Sequence, residues 1–316
     1  MKGRVIRNTG SNYIVSTAEG SEISCKVKGN FRIKGIRTTN PVAVGDEVEV
    51  VKSDSPGAPA FITAISPRRN YIIRRASNLS KEAHIIASNV DMALLVVTLA
   101  HPTTSTTFID RFLATAEAYN VQAGLIINKI DLLDTPEYKE LLEAVTYLYQ
   151  SIGYTVIHVS AKTGSGMEDL RDKLKGNTTL LTGNSGVGKS TIINALIPGA
   201  DVKTSEISAV HDQGMHTTTF SEMYDLSCDS HIIDTPGIRG FGTIDFDRYE
   251  VAHYFPEIFK ISSGCRFGNC THTHEPGCAV LSALDNQYIA TSRYNSYLSI
   301  LEDATPEEFS KYRKPE

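Results

Sequence analysis

The stretch Gly183-Asn184-Ser185-Gly186-Val187-Gly188-Lys189-Ser190 decides how the rest of this 316-residue chain is read. Two glycines separated by four residues, then Lys and Ser, form the phosphate-loop pattern. Its flanks agree with it. Thr179 to Thr182 reads as a buried strand and Thr191 to Ile197 as the helix that the loop opens. In such a loop the glycines let backbone N–H groups curl around phosphate oxygens, and the helix N-terminus adds a favourable dipole. Lys189 is expected to reach the outer phosphates and the Ser190 hydroxyl to ligate Mg²⁺, with Thr191 opening the helix beside them.

Downstream, Asp234-Thr235-Pro236-Gly237 follows the apolar run His231-Ile232-Ile233, 45 residues after Lys189. That position suits an Asp holding Mg²⁺, directly or through water, and a Gly approaching the terminal phosphate. Between the two lies Gly214-Met215-His216-Thr217-Thr218-Thr219, an aperiodic stretch that suits a switch loop. One of its threonines is expected to complete the Mg²⁺ shell, with Thr218 taken as the candidate. Ras-like GTPases place a water-orienting Gln directly after the Asp-x-x-Gly turn. Here Ile238 stands there, and its side chain cannot hydrogen-bond water. Slow intrinsic turnover that a partner stimulates is therefore expected. His216 is the internal candidate for the catalytic task, against the plainer reading of a histidine packed in a loop.

Upstream, Asn128-Lys129-Ile130-Asp131 follows the strand-like run Gly124 to Ile127. A carboxylate at Asp131 can accept both the ring N–H and the exocyclic amine of guanine, a donor pair adenine lacks. Lys129 would lie along the base, and Asn128 would tie this loop to the phosphate loop. Ser160-Ala161-Lys162, after Val156 to Val159, fits a second base-reading loop. Base loops at 128 and 160 thus precede phosphate elements at 183 and 234, the reverse of the usual order. A nucleotide site requires only that loops meet at strand C-termini, so a circularly permuted chain preserves it. The permutation also puts the second switch at the end of its domain, so nucleotide state would pass into whatever follows.

Period changes divide the chain. Residues 1–67 carry short β-like runs such as Tyr13-Ile14-Val15, Val48 to Val51 and Phe61 to Ile65, separated by Gly-, Asn- and Pro-rich turns. About five strands fit an OB-like barrel, though an SH3-like barrel would read alike. Residues 68–243 alternate buried strands with helical stretches near 108–119, 137–151, 167–174 and 189–197, the signature of an α/β domain. Residues 244–316 hold a Cys/His cluster and a helical stretch near 279–302. The net charge of -5 hides an asymmetry: residues 1–80 hold 13 Lys/Arg against 6 Asp/Glu. The N-terminal part would then face a polyanion. The connector Arg68-Arg69-Asn70-Tyr71-Ile72-Ile73-Arg74-Arg75 could clamp nucleic acid or lie between domains. No apolar run reaches the ~20 residues a membrane span needs, and the start lacks a signal-peptide pattern, so a cytoplasmic protein is expected.

Cys265, Cys270, His272 and Cys278 are spaced by four, one and five residues. Three thiolates and an imidazole make a closed tetrahedral shell for one structural zinc, with His274 a rival for His272. Cys25 and Cys228 read as isolated core thiols. Arg293, Tyr294 and Tyr297 have helical spacing and could pack in a core or touch RNA.

Taken together, the barrel, the permuted motif order, Ile238, the His216-Thr217-Thr218-Thr219 run and the Cys/His cluster resemble the small ribosomal subunit biogenesis GTPase family, RsgA, over essentially the whole chain. The resemblance implies a late-acting assembly factor that binds the 30S subunit, contacts 16S rRNA, and hydrolyses GTP to GDP faster on that subunit. A monomer is expected. The rivals are a signalling GTP switch without an RNA partner and an RNA chaperone in which GTP only gates binding.

Overall fold

A computed structural model describes residues 1–10, 12–27, 41–53, 58–75, 83–202, 221–227, 229–235 and 246–304. Strands β1 (Lys2–Asn8), β2 (Tyr13–Thr17), β3 (Glu22–Val27), β4 (Glu47–Val51) and β5 (Ala60–Ile65) form the N-terminal barrel. Alternation drives it: in β4, Val48 and Val50 point inward while Glu47, Glu49 and Val51 are exposed. Val5, Val15, Cys25 and Ile62 complete the barrel core. The strands run in the order β1-β2-β3-β5-β4, with β4 returning to β1, and β3 and β5 pair in parallel. This is the five-stranded, OB-like closure.

A hairpin, β6 (Tyr71–Arg75) and β7 (Ala83–Ser88), leads into the α/β domain. There β8 (Met92–Val97), β9 (Gln122–Ile127), β10 (Thr155–His158), β11 (Thr178–Gly183), β12 (Glu222–Ser227) and β13 (Ser230–Asp234) lie in the order β10-β9-β8-β11-β13-β12. All neighbours pair in parallel except β12 with β13. Every residue of β8 is buried, as expected of a central strand covered on both faces. Helices α1 (Thr106–Ala118) and α2 (Pro136–Ile152) cover one face, and α3 (Met167–Leu174) and α4 (Lys189–Leu196) the other. Ser105 caps α1 by accepting from the Phe108 N–H, and Thr135 caps α2 ahead of Pro136.

The barrel and the α/β sheet are continuous. β1 pairs antiparallel with β12, Arg7 opposite Glu222, so eleven strands make one sheet. Arg7 Nε donates to Glu222 Oε1 at 2.8 Å. A second joint is buried. Asp46 accepts from Arg68 Nε and a terminal Arg68 nitrogen, both at 2.6 Å, and from Ser88 Oγ at 2.6 Å. Gly45, at φ +95°, lies against the Ser88 carbonyl so closely that a Cβ would collide with it. Of the basic connector, Arg68 therefore serves this joint, and Arg69 pairs with Asp91 at 2.7 Å.

The C-terminal module contains α5 (Pro256–Ser262), α6 (Ala279–Asp285) and α7 (Thr291–Asp303). The helical stretch expected near 279–302 is two helices, separated where Gln287 takes φ 62° and Ile289 buries. Phe246, Phe255, Ile258, Val280, Tyr297 and Ile300 pack together with Ala114 of α1, so the module docks on the α/β domain. Arg293, Tyr294 and Tyr297 are all buried in it. Cys25 is buried in the barrel, while Cys228 lies outside the described residues. Among the described residues no helix is long and apolar enough to cross a membrane.

Candidate nucleotide site and metal centre

The C-terminal ends of β9, β11 and β13 bring the sequence motifs together. Gly183 ends β11, and the loop through Gly188 turns into α4 with Lys189 as its first residue. The ammonium of Lys189 donates to Asp234, at the end of β13, and to the Thr235 carbonyl at 2.6 Å. Burial raises the pKa of Asp234, and Lys189 pulls against that rise. Ser190 and Thr191 follow on the first turn of α4, Ser190 half-buried and Thr191 exposed.

Asn128 ties the base loop to the phosphate loop: its Nδ2 donates to the Val187 carbonyl at 2.8 Å, and its Oδ1 accepts from the Ala161 N–H at 3.2 Å. Gly188, at φ +89°, leaves room for that amide, which a Cβ would strike. Lys129, itself at φ 62°, donates to the Gly186 carbonyl at 2.7 Å and to the His101 carbonyl at 2.5 Å. Burial lowers the Lys129 pKa, opposed by Asp131. Ser160 Oγ donates to Asp131 Oδ1 at 2.6 Å and holds that carboxylate in place. Lys162 is exposed on the same loop, and Asn184, Ser185 and Gly186 form the crest of the phosphate loop.

Gly237, Ile238 and the whole of residues 203–220, with His216 and Thr218, lie outside the described residues. Sequence reading missed the loop 98–105. It has no motif, yet its His101 carbonyl braces Lys129, and Pro102 faces Gly186, where a Cβ would lie 3.6 Å from its ring. Its own fold depends on Thr98 and Thr104, which exchange the bonds Thr104 N to Thr98 O (2.8 Å) and Thr98 N to Thr104 Oγ1 (3.1 Å).

In the C-terminal module, one ligand atom from each of Cys265, Cys270, His272 and Cys278 lies within 4.8 Å of the others. Cys265 Sγ and Cys278 Sγ are 3.9 Å apart, and His272 Nδ1 lies 3.6 Å and 3.5 Å from them. Tetrahedral zinc bonds imply edges of about 3.8 Å between sulfurs and about 3.6 Å from sulfur to nitrogen. The donor set therefore fits one such ion. His272 and not His274 joins the cluster, because the loop turns at His272 (φ 57°) and His274 Nδ1 meets Thr273 Oγ1. Tyr294 and Tyr297 hold the loop from below, donating to the carbonyls of His272 (2.7 Å) and Thr271 (2.6 Å). Although burial works against its charge, Glu275 is held well below the usual carboxylate range by the Thr271 hydroxyl and by loop N–H groups.

A mainly parallel sheet with a phosphate-loop motif at the end of β11 and guanine-loop motifs on strands earlier in the chain defines a circularly permuted P-loop GTPase. The chain belongs to the RsgA GTPase family: the profile described as RsgA GTPase matches residues 65–244, and that described as RsgA N-terminal domain matches residues 2–58. It is 61% identical over 312 residues to the small ribosomal subunit biogenesis GTPase RsgA of Porphyromonas gingivalis, covering 98% of this chain and 99% of that one. YjeQ from Thermotoga maritima superposes with a TM-score of 0.74 at 32% identity, covering 96% of this chain and 97% of that one. YloQ, described as a circularly permuted GTPase, does so with a TM-score of 0.71 at 27% identity, covering 100% and 96%.

Proposed function

We propose that this GTPase acts in late assembly of the 30S ribosomal subunit, binding the particle and its 16S rRNA as a cytoplasmic monomer and hydrolysing GTP to GDP and phosphate with stimulation by the subunit. The observation that carries the reading is the bonding of Asn128 and Lys129 to the loop of Gly183 to Ser190, with Ser160 holding Asp131 in the same base loop, in a chain whose relatives are called small ribosomal subunit biogenesis GTPases. The excess of Lys/Arg in the first 80 residues suits a polyanionic partner.

In this reading residues 1–67 are the rRNA-facing barrel, 68–243 the GTPase domain and 244–316 the metal-binding module. Asp131 selects guanine, Asn128, Lys129 and the 160–162 loop fix the base, and residues 183 to 191 grip the phosphates. Ser190, Asp234 and Thr218 hold Mg²⁺, Gly237 meets the terminal phosphate, and His216 acts on the attacking water. Cys265, Cys270, His272 and Cys278 hold zinc, which when bound supplies structural cross-linking and no open coordination position. Steady-state GTP hydrolysis measured with and without purified 30S particles tests the proposal, together with co-sedimentation in GDP or a non-hydrolysable GTP analogue. Stimulated turnover and nucleotide-dependent binding are expected. Hydrolysis indifferent to the particle, with no co-sedimentation, would overturn it.

A further inference from the structure

Arg293 of α7 is fully buried, and its guanidinium joins two parts of the chain. One terminal nitrogen donates to Asp110 Oδ1 of α1 at 2.7 Å. Its Nε and its other terminal nitrogen take Glu257 of α5 in a fork, at 2.6 and 3.1 Å. Tyr149 of α2 also donates to Asp110 Oδ1, at 2.8 Å, and the Phe255 ring lies 4.7 Å from the guanidinium carbon. A second contact runs parallel to it: Arg111 of α1 reaches the Ser299 hydroxyl at 2.8 Å and Asp303 at 2.6 Å, both on α7.

Buried ionic groups of this kind seldom stabilise more than apolar side chains of equal volume; their best-attested use is to specify one arrangement. What Arg293 specifies follows from where Asp110 sits. It is the fifth residue of α1, about one turn from the Ser105 cap. Directly before that cap runs the loop whose His101 carbonyl receives Lys129 and whose Pro102 faces Gly186. A shift of α1 along its axis moves that loop, and with it the brace under both the base loop and the phosphate loop. α7 is itself anchored on its other contacts, through Tyr294 and Tyr297, to the metal-holding loop.

We propose that Arg293 is a positioning residue for guanine-nucleotide binding: through Asp110 it sets the register of α1, and through the 98–105 loop it sets Lys129 against Gly186. The nucleotide site is thereby coupled to the C-terminal module through α1. This rests on the reading of the site as one for GTP.

The test uses the full chain with its metal, comparing Arg293→Met, Arg293→Lys and the apolar pair Arg293→Met/Asp110→Leu. Melting temperature, bound zinc, release of a fluorescent GDP analogue, and basal kcat and KM for GTP are read on each. Arg293→Met is expected to speed release and raise KM about tenfold, with kcat within about twofold, a coupling of ordinary size. Arg293→Lys should be intermediate, because an ammonium cannot reproduce the planar fork on Glu257 while reaching Asp110. The apolar pair, with Glu257 still lacking its counter-charge, should regain part of the melting temperature but not slow release. Wild-type release from a folded, zinc-loaded Arg293→Met protein would overturn the proposal. So would an apolar pair that restores stability and release together, since the role would then be structural only. A wild-type protein that binds no guanine nucleotide would instead overturn the GTP reading.

Discussion

Lys189 and Asp234, 45 residues apart in sequence, meet as an ion pair under the phosphate loop, where the Lys189 ammonium donates to the Asp234 carboxylate. The cation that would grip phosphate and the anion that would hold Mg²⁺ are thus each other's partner. Nucleotide with Mg²⁺ would have to exchange this pair for two new ones, Lys189 with phosphate oxygens and Asp234 with the ion. Asp234→Asn removes the competing anion together with the proposed Mg²⁺ ligand. Hydrolysis should fall at least about a hundredfold, in keeping with lost transition-state charge stabilisation. GDP affinity measured in EDTA should be retained or improved. Isothermal titration and steady-state assays check the two halves separately.

Asp131 accepts from Ser160 Oγ and so presents its remaining acceptor capacity to a base. Asp131→Asn replaces an acceptor with a donor at the edge that would meet the guanine amine. The variant should lose GTP turnover by about two orders of magnitude or more and gain xanthosine triphosphate, whose carbonyl stands where guanine carries its amine. Competition assays with the two nucleotides measure the switch. Unchanged preference would remove Asp131 from the base site.

The metal centre gives a pH-dependent expectation. Burial pushes the Cys270 thiol up to about 12 and raises that of Cys278, and thiols bind zinc as thiolates. Binding must therefore release protons, so zinc affinity should weaken steadily from about pH 8 to about pH 6. Titration calorimetry in buffers of different ionisation enthalpy reports the protons released. Cys270→Ser or chelation should unfold the loop from Cys265 to Cys278 and lower the melting temperature, while Cys25→Ser should leave zinc content unchanged.

Arg68→Met leaves Asp46 buried among the Ser88 hydroxyl and the Ala43 N–H without its counter-charge. A loss of about 3–5 kcal/mol is expected, the range for breaking a buried pair from one side. Denaturant unfolding should show it. Arg69→Met, whose side chain is mostly exposed, should cost well under 1 kcal/mol.

The nucleotide motifs were legible because their chemistry is local. Glycines are needed where backbone must approach phosphate, Asp where guanine must be selected, and apolar runs where strands are buried on both faces. The barrel was legible from alternation. Other features were not. Nothing near Thr98 to Ser105 marks it as a brace, since its contribution is a backbone carbonyl that any residue could supply. The basic connector reads either as a nucleic-acid clamp or as a link between domains, and only packing places Arg68 on Asp46. Residues 279–302 have helical composition throughout, and only the burial of Ile289 and the turn at Gln287 break them in two.

By itself, then, the sequence determined the order of the loops, the class of nucleotide and the set of metal-ligand candidates, because those depend on residue type at short spacing. Tertiary structure alone decided that β1 of the barrel extends the GTPase sheet through β12 and that Arg293 reaches Asp110 across 183 residues. The β1–β12 pairing and the Arg293–Asp110 contact each join distant segments. Which donor meets which acceptor there is set by how helices and sheets pack, and no local pattern carries that information.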